Sequence, residues 1–171
     1  KTNQIKHVVN LSSVGAHLPD GCGPVSGLHK AEQALNALDD VNIKHLRPTY
    51  FLDNILATVG LAKQMNIIGS NFGGAGQKMV LADTSDITDV AFEELSTLQF
   101  SGHSVRYIAS DERTSDEVAK IIGAAISKPS LPWVVFTKEQ SKAGMLHSNF
   151  CILRSNSLKN EKNTFSTPVV H

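Results

Sequence analysis

The residues of this sequence best placed to do chemistry stand at the ends of predicted strands. Ser12 and Ser13 follow an apolar, β-branched run at residues 5–11. Lys30 lies on the amphipathic segment that comes next, and Pro48-Thr49-Tyr50-Phe51 follows the next short strand. In open parallel sheets, ligands bind at the carboxyl ends of strands. Two successive strand ends and a helix lysine can therefore face one pocket. A lysine there can hydrogen-bond ribose hydroxyls and, as a cation, lower the pKa of a neighbouring proton donor. The same spacing equally fits a lysine on a solvated helix face.

Other chemistries lack their residues. The glycines at 69, 73, 74 and 76 are followed by a strand-like segment. A dinucleotide fingerprint needs G-x-G-x-x-G between a strand and a helix, so that backbone amides meet the pyrophosphate. The cluster therefore reads as a loop, and no Walker-type phosphate loop stands elsewhere. None of the 7 histidines pairs with another ligand at metal spacing. His29 and Glu32 are three apart on one helix and read as a surface pair. Cys22 and Cys151 make neither a disulfide framework nor a zinc site, and no G-x-S-x-G elbow is present.

These residues need elements to hold them. The run at 5–11 has little polar alternation, the pattern of a strand buried on both faces of a parallel sheet. Apolar residues at helical spacing predict a helix over 27–38. A short strand over 43–46 stops at Arg47-Pro48, because proline cannot donate to a ladder. Strand, helix and strand make a βαβ unit. A second helix is predicted over 51–64, a short strand at 67–68 and another at 79–81. Asp83 caps a helix over 87–98, and residues 103–109 alternate as a strand. Thr114 and Glu117 form a capping box opening a helix that ends at 126. A last strand spans 133–136, and Thr137 with Gln140 opens a short helix to about 146. Residues 154–168 are dominated by Ser, Asn, Lys and Thr and read as a poorly ordered tail.

The chain has 171 residues, with Lys+Arg 16 and Asp+Glu 16. With no net charge it has no global electrostatic hold on nucleic acid or an anionic membrane. Hydrophobic residues are 41% and mean hydropathy is −0.10. That is enough apolar material for a core, with no run long enough to cross a bilayer. A soluble, cytoplasmic protein is expected. The chain begins with Lys1, which points to a longer coding sequence or to processing.

Several segments, taken in order, resemble the NmrA-like branch of the atypical short-chain dehydrogenases/reductases. They are VVNLSSVGAH at 8–17, SGLHKAEQAL at 26–35, LRPTYFLDN at 46–54, DTSDITDVA at 83–91 and GHSVRYIASDERTSDEVAKIIG at 102–123. The resemblance runs from about residue 5 to 146. It implies an α/β fold: the C-terminal part of a Rossmann-type parallel sheet over 1–66, a small α/β substrate-binding region over 67–150, and a polar tail over 151–171. It implies an NAD(P) cofactor, with NADPH expected, and a quinone-like acceptor. Ser12, Ser13, Lys30, Pro48, Thr49 and Tyr50 would contact the cofactor, and Tyr50, Phe51 and Asn54 would line the acceptor pocket. Lys30, Ser13 and Tyr50 would be the catalytic residues.

The match departs from the superfamily in two respects. The usual acid is the tyrosine of Y-x-x-x-K, but Ser26 stands four residues before Lys30 and offers no phenol. The family's opening half, with its glycine-rich loop, is absent from the chain, and with it the pyrophosphate and adenosine sites. Two alternatives to a reductase follow: a non-catalytic dinucleotide sensor, and an inactive truncated piece. An open strand edge also predicts pairing with a second copy.

Overall fold

A computed structural model describes residues 4–74, 76–137 and 139–140. Three parallel strands form the main sheet: β1 (His7–Leu11), β2 (Asn42–Pro48) and β6 (His103–Ile108), in the order β1-β2-β6. Helix α1 (Val25–Asn36) joins β1 to β2, giving the predicted βαβ unit.

Strand β1 is half-buried rather than buried on both faces, and Leu11 is exposed. Among the described residues only β2 flanks it. Strand β2 carries the buried centre, with Ile43 and His45 to Pro48 all buried. It runs through Pro48 instead of stopping before it. Proline lacks a donor, but the Pro48 carbonyl accepts from the Val14 amide at 2.9 Å. Only the missing N–H limits pairing, and the strand ends there.

Between β2 and β6 the chain makes a long excursion. Strand β3 (Tyr50–Phe51) is followed by α2 (Leu52–Leu56), α3 (Val59–Met65), β4 (Ile68–Ser70), β5 (Lys78–Ala82) and α4 (Thr84–Thr97). The single helix expected over 51–64 is thus a strand and two short helices. Tyr50 and Phe51 pair with Leu81 and Ala82, which takes Phe51 out of the expected helix. The break at Thr58 has a local cause: both its amide and its hydroxyl donate to the Ile55 carbonyl, at 2.9 and 2.6 Å. A three-residue bond tightens the turn and ends the first helix.

After β6 come β7 (Asp111–Thr114), α5 (Ser115–Ala125) and β8 (Trp133–Val135). Strand β7, not foreseen from the sequence, runs antiparallel to β5. The order β3-β5-β7 makes a second sheet and β4-β8 a third. Asp83 accepts from the Ser85 amide at the start of α4. The capping box at Thr114 and Glu117 is complete, and Thr137 and Gln140 exchange the bonds of the second box. The rest of the short helix that box opens, and the tail, lie outside the described residues.

Two apolar cores result. One gathers Ile55, Ala62, Ile68, Met79, Leu81, Val118, Ala119 and Leu131, and the other Leu46, Ala82, Ile87 and Ile108. Leu81 and Ala82 are adjacent on β5 and point to opposite cores, the alternation a strand imposes. The main sheet passes into the second sheet at the C-terminal ends of β2 and β6. The Thr49 amide there donates to the Ile108 carbonyl, and the Ser110 amide to that of Leu81.

Candidate functional site

The carboxyl ends of β1 and β2 meet at this seam between sheets. The chain leaves β1 through Ser12 to Val14, held to β2 by the Ser12 amide on the Leu46 carbonyl at 2.7 Å. Beyond Pro48, Thr49 and Tyr50 turn into the second sheet. The glycine-rich turn between β4 and β5 closes the opposite side.

A pocket of about 380 Å³ lies between them, within the range of about 300–1,000 Å³ usual for small-molecule sites. Val14, Thr49 and Tyr50 line one side, and Phe72, Gly73 and residues 77–80 line the other. The Tyr50 and Phe72 rings meet edge to face, with centroids 4.7 Å apart and planes at 71°. Burial pushes the Tyr50 phenol above its usual value of 10.0, so it keeps its proton at neutral pH. The Thr49 hydroxyl is buried with no hydrogen-bond partner among the described residues. Buried polar groups are rarely left so, and each exception calls for an explanation.

Of the residues expected at the site, Thr49 and Tyr50 reach the pocket wall. Ser12, Ser13, Lys30, Pro48, Phe51 and Asn54 are not among its lining residues. Ser13 is half-buried, and its hydroxyl donates to the adjacent Val14 carbonyl at 3.1 Å. Lys30 is on the exposed face of α1, Asn54 is exposed on α2, and Phe51 packs against the second core. Ser12 is buried, and its hydroxyl donates to Glu32 Oε1 at 2.5 Å.

Glu32 overturns the expected surface pair with His29. It is 2% exposed and faces β2, where Arg47 Nε and Nη2 donate to its two oxygens at 3.0 and 2.5 Å. His29 turns instead to the Ala16 carbonyl, 2.8 Å from its Nδ1. Burial works to raise the Glu32 carboxyl. The hydrogen bonds from Arg47 and Ser12, with the Arg47 charge, outweigh it and hold the group below its usual value. Arg47 also donates to the Tyr107 hydroxyl at 3.0 Å. Beside this pair, His45 sits between Asn10 and Asn36, at 3.0 Å from each. Burial and the Arg47 charge push its ring below the usual histidine value, against the pull of Glu32. The one sequence signal for this network is helical: Glu32 falls on the inward stripe of α1 between Leu28 and Leu35.

The glycine-rich turn leads from β4 into β5, so no helix N-terminus follows it to meet a phosphate. Among the described residues, no group of three or more His, Cys, Asp or Glu is placed to hold a metal ion. No described helix is long and apolar enough to cross a membrane.

No family model matches this chain, and no curated protein matches it. Solved structures do. An NADPH-dependent quinone oxidoreductase from Escherichia coli, solved with NADPH, is similar with a TM-score of 0.66 and 20% identity, over 82% of this chain and 48% of that one. A nucleoside-diphosphate-sugar epimerase from Staphylococcus aureus has a TM-score of 0.62 and 12% identity, over 78% and 46%. A UDP-N-acetylglucosamine 4-epimerase from Bacillus cereus has a TM-score of 0.55 and 20% identity, over 84% and 59%. The chain thus spans about half the length of the structures it matches. It has an α/β fold built on part of a Rossmann-type parallel sheet.

Proposed function

We propose that this chain is part of an NAD(P)-binding protein of the NmrA-like kind that reduces a quinone-like acceptor. The carrying observation is the pocket at the carboxyl ends of β1 and β2, with the unpartnered Thr49 hydroxyl and the half-buried Tyr50 on its wall. The fit of the cofactor rests on that hydroxyl. Its position at the strand ends suits a nicotinamide amide or ribose group, which would supply the partner it lacks. Bound NAD(P)H would supply the hydride. The protein's part is then positioning. Thr49 hydrogen-bonds the nicotinamide end; Lys30 on the exposed face of α1 and Ser13 at the end of β1, which the resemblance gives to the ribose and the acceptor, stand outside this pocket wall. Tyr50, protonated at neutral pH, donates to the acceptor oxygen. Ser12 keeps its proton on Glu32 and fixes the exit of β1.

The absence of a phenol four residues before Lys30 also suits a second reading, a dinucleotide sensor without turnover. The absorbance of NADPH mixed with the protein and 1,4-naphthoquinone separates the two. Naphthoquinone-dependent loss of reduced nicotinamide, with a large drop in Tyr50→Phe, supports the reductase. Binding of NADPH without that loss supports the sensor. No binding of NADPH or NADH at millimolar concentration defeats both.

A further inference from the structure

The glycine-rich turn has a built support behind it that the proposed function leaves unused. Ser115, fully buried at the start of α5, donates its hydroxyl to the Gly74 carbonyl at 2.8 Å and accepts from the Gly74 amide at 3.3 Å. From β8, the Trp133 indole donates to the Phe72 carbonyl at 3.3 Å. Gly73 lies between these anchors with φ of +81°, and a Cβ there would meet Trp133 Nε1 at 2.9 Å and the Ser115 Cβ at 3.3 Å. Only glycine combines that backbone with that approach. Three bonds from two distant elements therefore hold the backbone at Phe72 and Gly74. The side chain they present is Phe72, set edge to face against Tyr50 at the pocket.

We infer that Phe72 is a specificity-determining wall selecting a planar aromatic ring, and that Ser115 and Trp133 are positioning residues that hold it against Tyr50. The inference rests on the proposed function only for placing the ligand in this pocket. A rigid aromatic pair gives a flat ring a face and an edge to pack on, and it costs little entropy because the turn is already ordered. A flexible chain of the same apolar area gains less. Trp133, the only tryptophan, reports on the wall directly through its bond to Phe72.

The test uses 1,4-naphthoquinone as the planar probe and n-octanol as the flexible one, titrated against Trp133 emission with and without NADPH. Phe72→Leu should weaken naphthoquinone binding about five- to tenfold while leaving octanol within about twofold, and Phe72→Tyr should restore it. Ser115→Ala should also weaken naphthoquinone selectively; a merely structural serine would lower the melting temperature and leave the ratio of the two affinities unchanged. Equal losses for both probes, an unchanged naphthoquinone affinity in Phe72→Leu, or no naphthoquinone binding to the wild type would overturn the inference. NADPH affinity is read separately. Its absence with a Phe72-dependent naphthoquinone site intact would defeat the dinucleotide reading alone.

Discussion

Two polar regions adjoin the C-terminal end of β2, and they differ in how completely their groups are paired. On the α1 face, Ser12, Glu32, Arg47 and Tyr107 form one chain of hydrogen bonds, and His45 is held between two asparagines. At the pocket, Thr49 has a buried hydroxyl with no partner among the described residues, and Tyr50 has an aromatic neighbour. Sequence alone draws attention equally to Ser12 and Thr49. The structure separates them by their partners. A polar group already paired inside the protein fixes the fold, whereas a buried one left unpaired beside a pocket calls for a partner.

The largest effect is expected at Glu32. Glu32→Ala strands the Arg47 guanidinium in the interior, which should cost about 3–5 kcal/mol in chemical denaturation. Replacing both partners with apolar residues, Glu32→Leu with Arg47→Met, should recover most of that loss, because no buried charge remains. If Glu32→Ala were as stable as the wild type, the network would not be part of the fold's support.

Acid should act on the same face. The His45 ring is held below its usual 6.5, so the unfolded chain takes up a proton that the folded ring refuses. Its contribution is complete above that value and is lost as the pH falls below it, by at most about 1.4 kcal/mol per pH unit. Glu32 adds a loss of the same sign at lower pH. Its folded value lies below the usual 4.5, so its contribution is present above 4.5 and fades as the pH drops through the folded value. Urea midpoints measured across this range should fall toward acid, and His45→Gln should flatten the upper part of the curve. An unchanged slope in that variant would remove His45 from the explanation.

The smallest effect on stability is expected at the pocket. Thr49→Val keeps the shape and removes the unpaired hydroxyl, so the protein should gain about 1 kcal/mol while NADPH binding weakens. A loss of stability instead would show that the hydroxyl has a structural partner and that the two regions are alike.

Much of the architecture was legible because local patterns and tertiary fold agree. The apolar run before Ser12, the stripe on α1 and the caps at Asp83 and Thr114 each point to the element that forms. Long-range effects were not legible. Strand β7 has charged residues at Asp111, Glu112 and Arg113 and becomes a strand through pairing with β5. Phe51 leaves a helical pattern for the same reason. At the site, strand-end spacing drew attention to Ser12, Ser13, Lys30 and the 48–51 segment alike, and of these only Thr49 and Tyr50 stand on the pocket wall. Phe72 was hidden because a glycine cluster reads only as a turn, and its anchors Ser115 and Trp133 are far along the chain. Glu32 was misplaced because a helical glutamate is usually solvated, and its partner Arg47 stands in another element.

The most direct test of the central claim is a map of backbone amide NMR shifts while NADPH and then 1,4-naphthoquinone are added. The account predicts shifts concentrated at Val14, Thr49, Tyr50 and the 72–80 segment, with Glu32, His45 and Arg47 nearly unmoved. Shifts centred on the Glu32–Arg47 face, or none at saturating ligand, would contradict it.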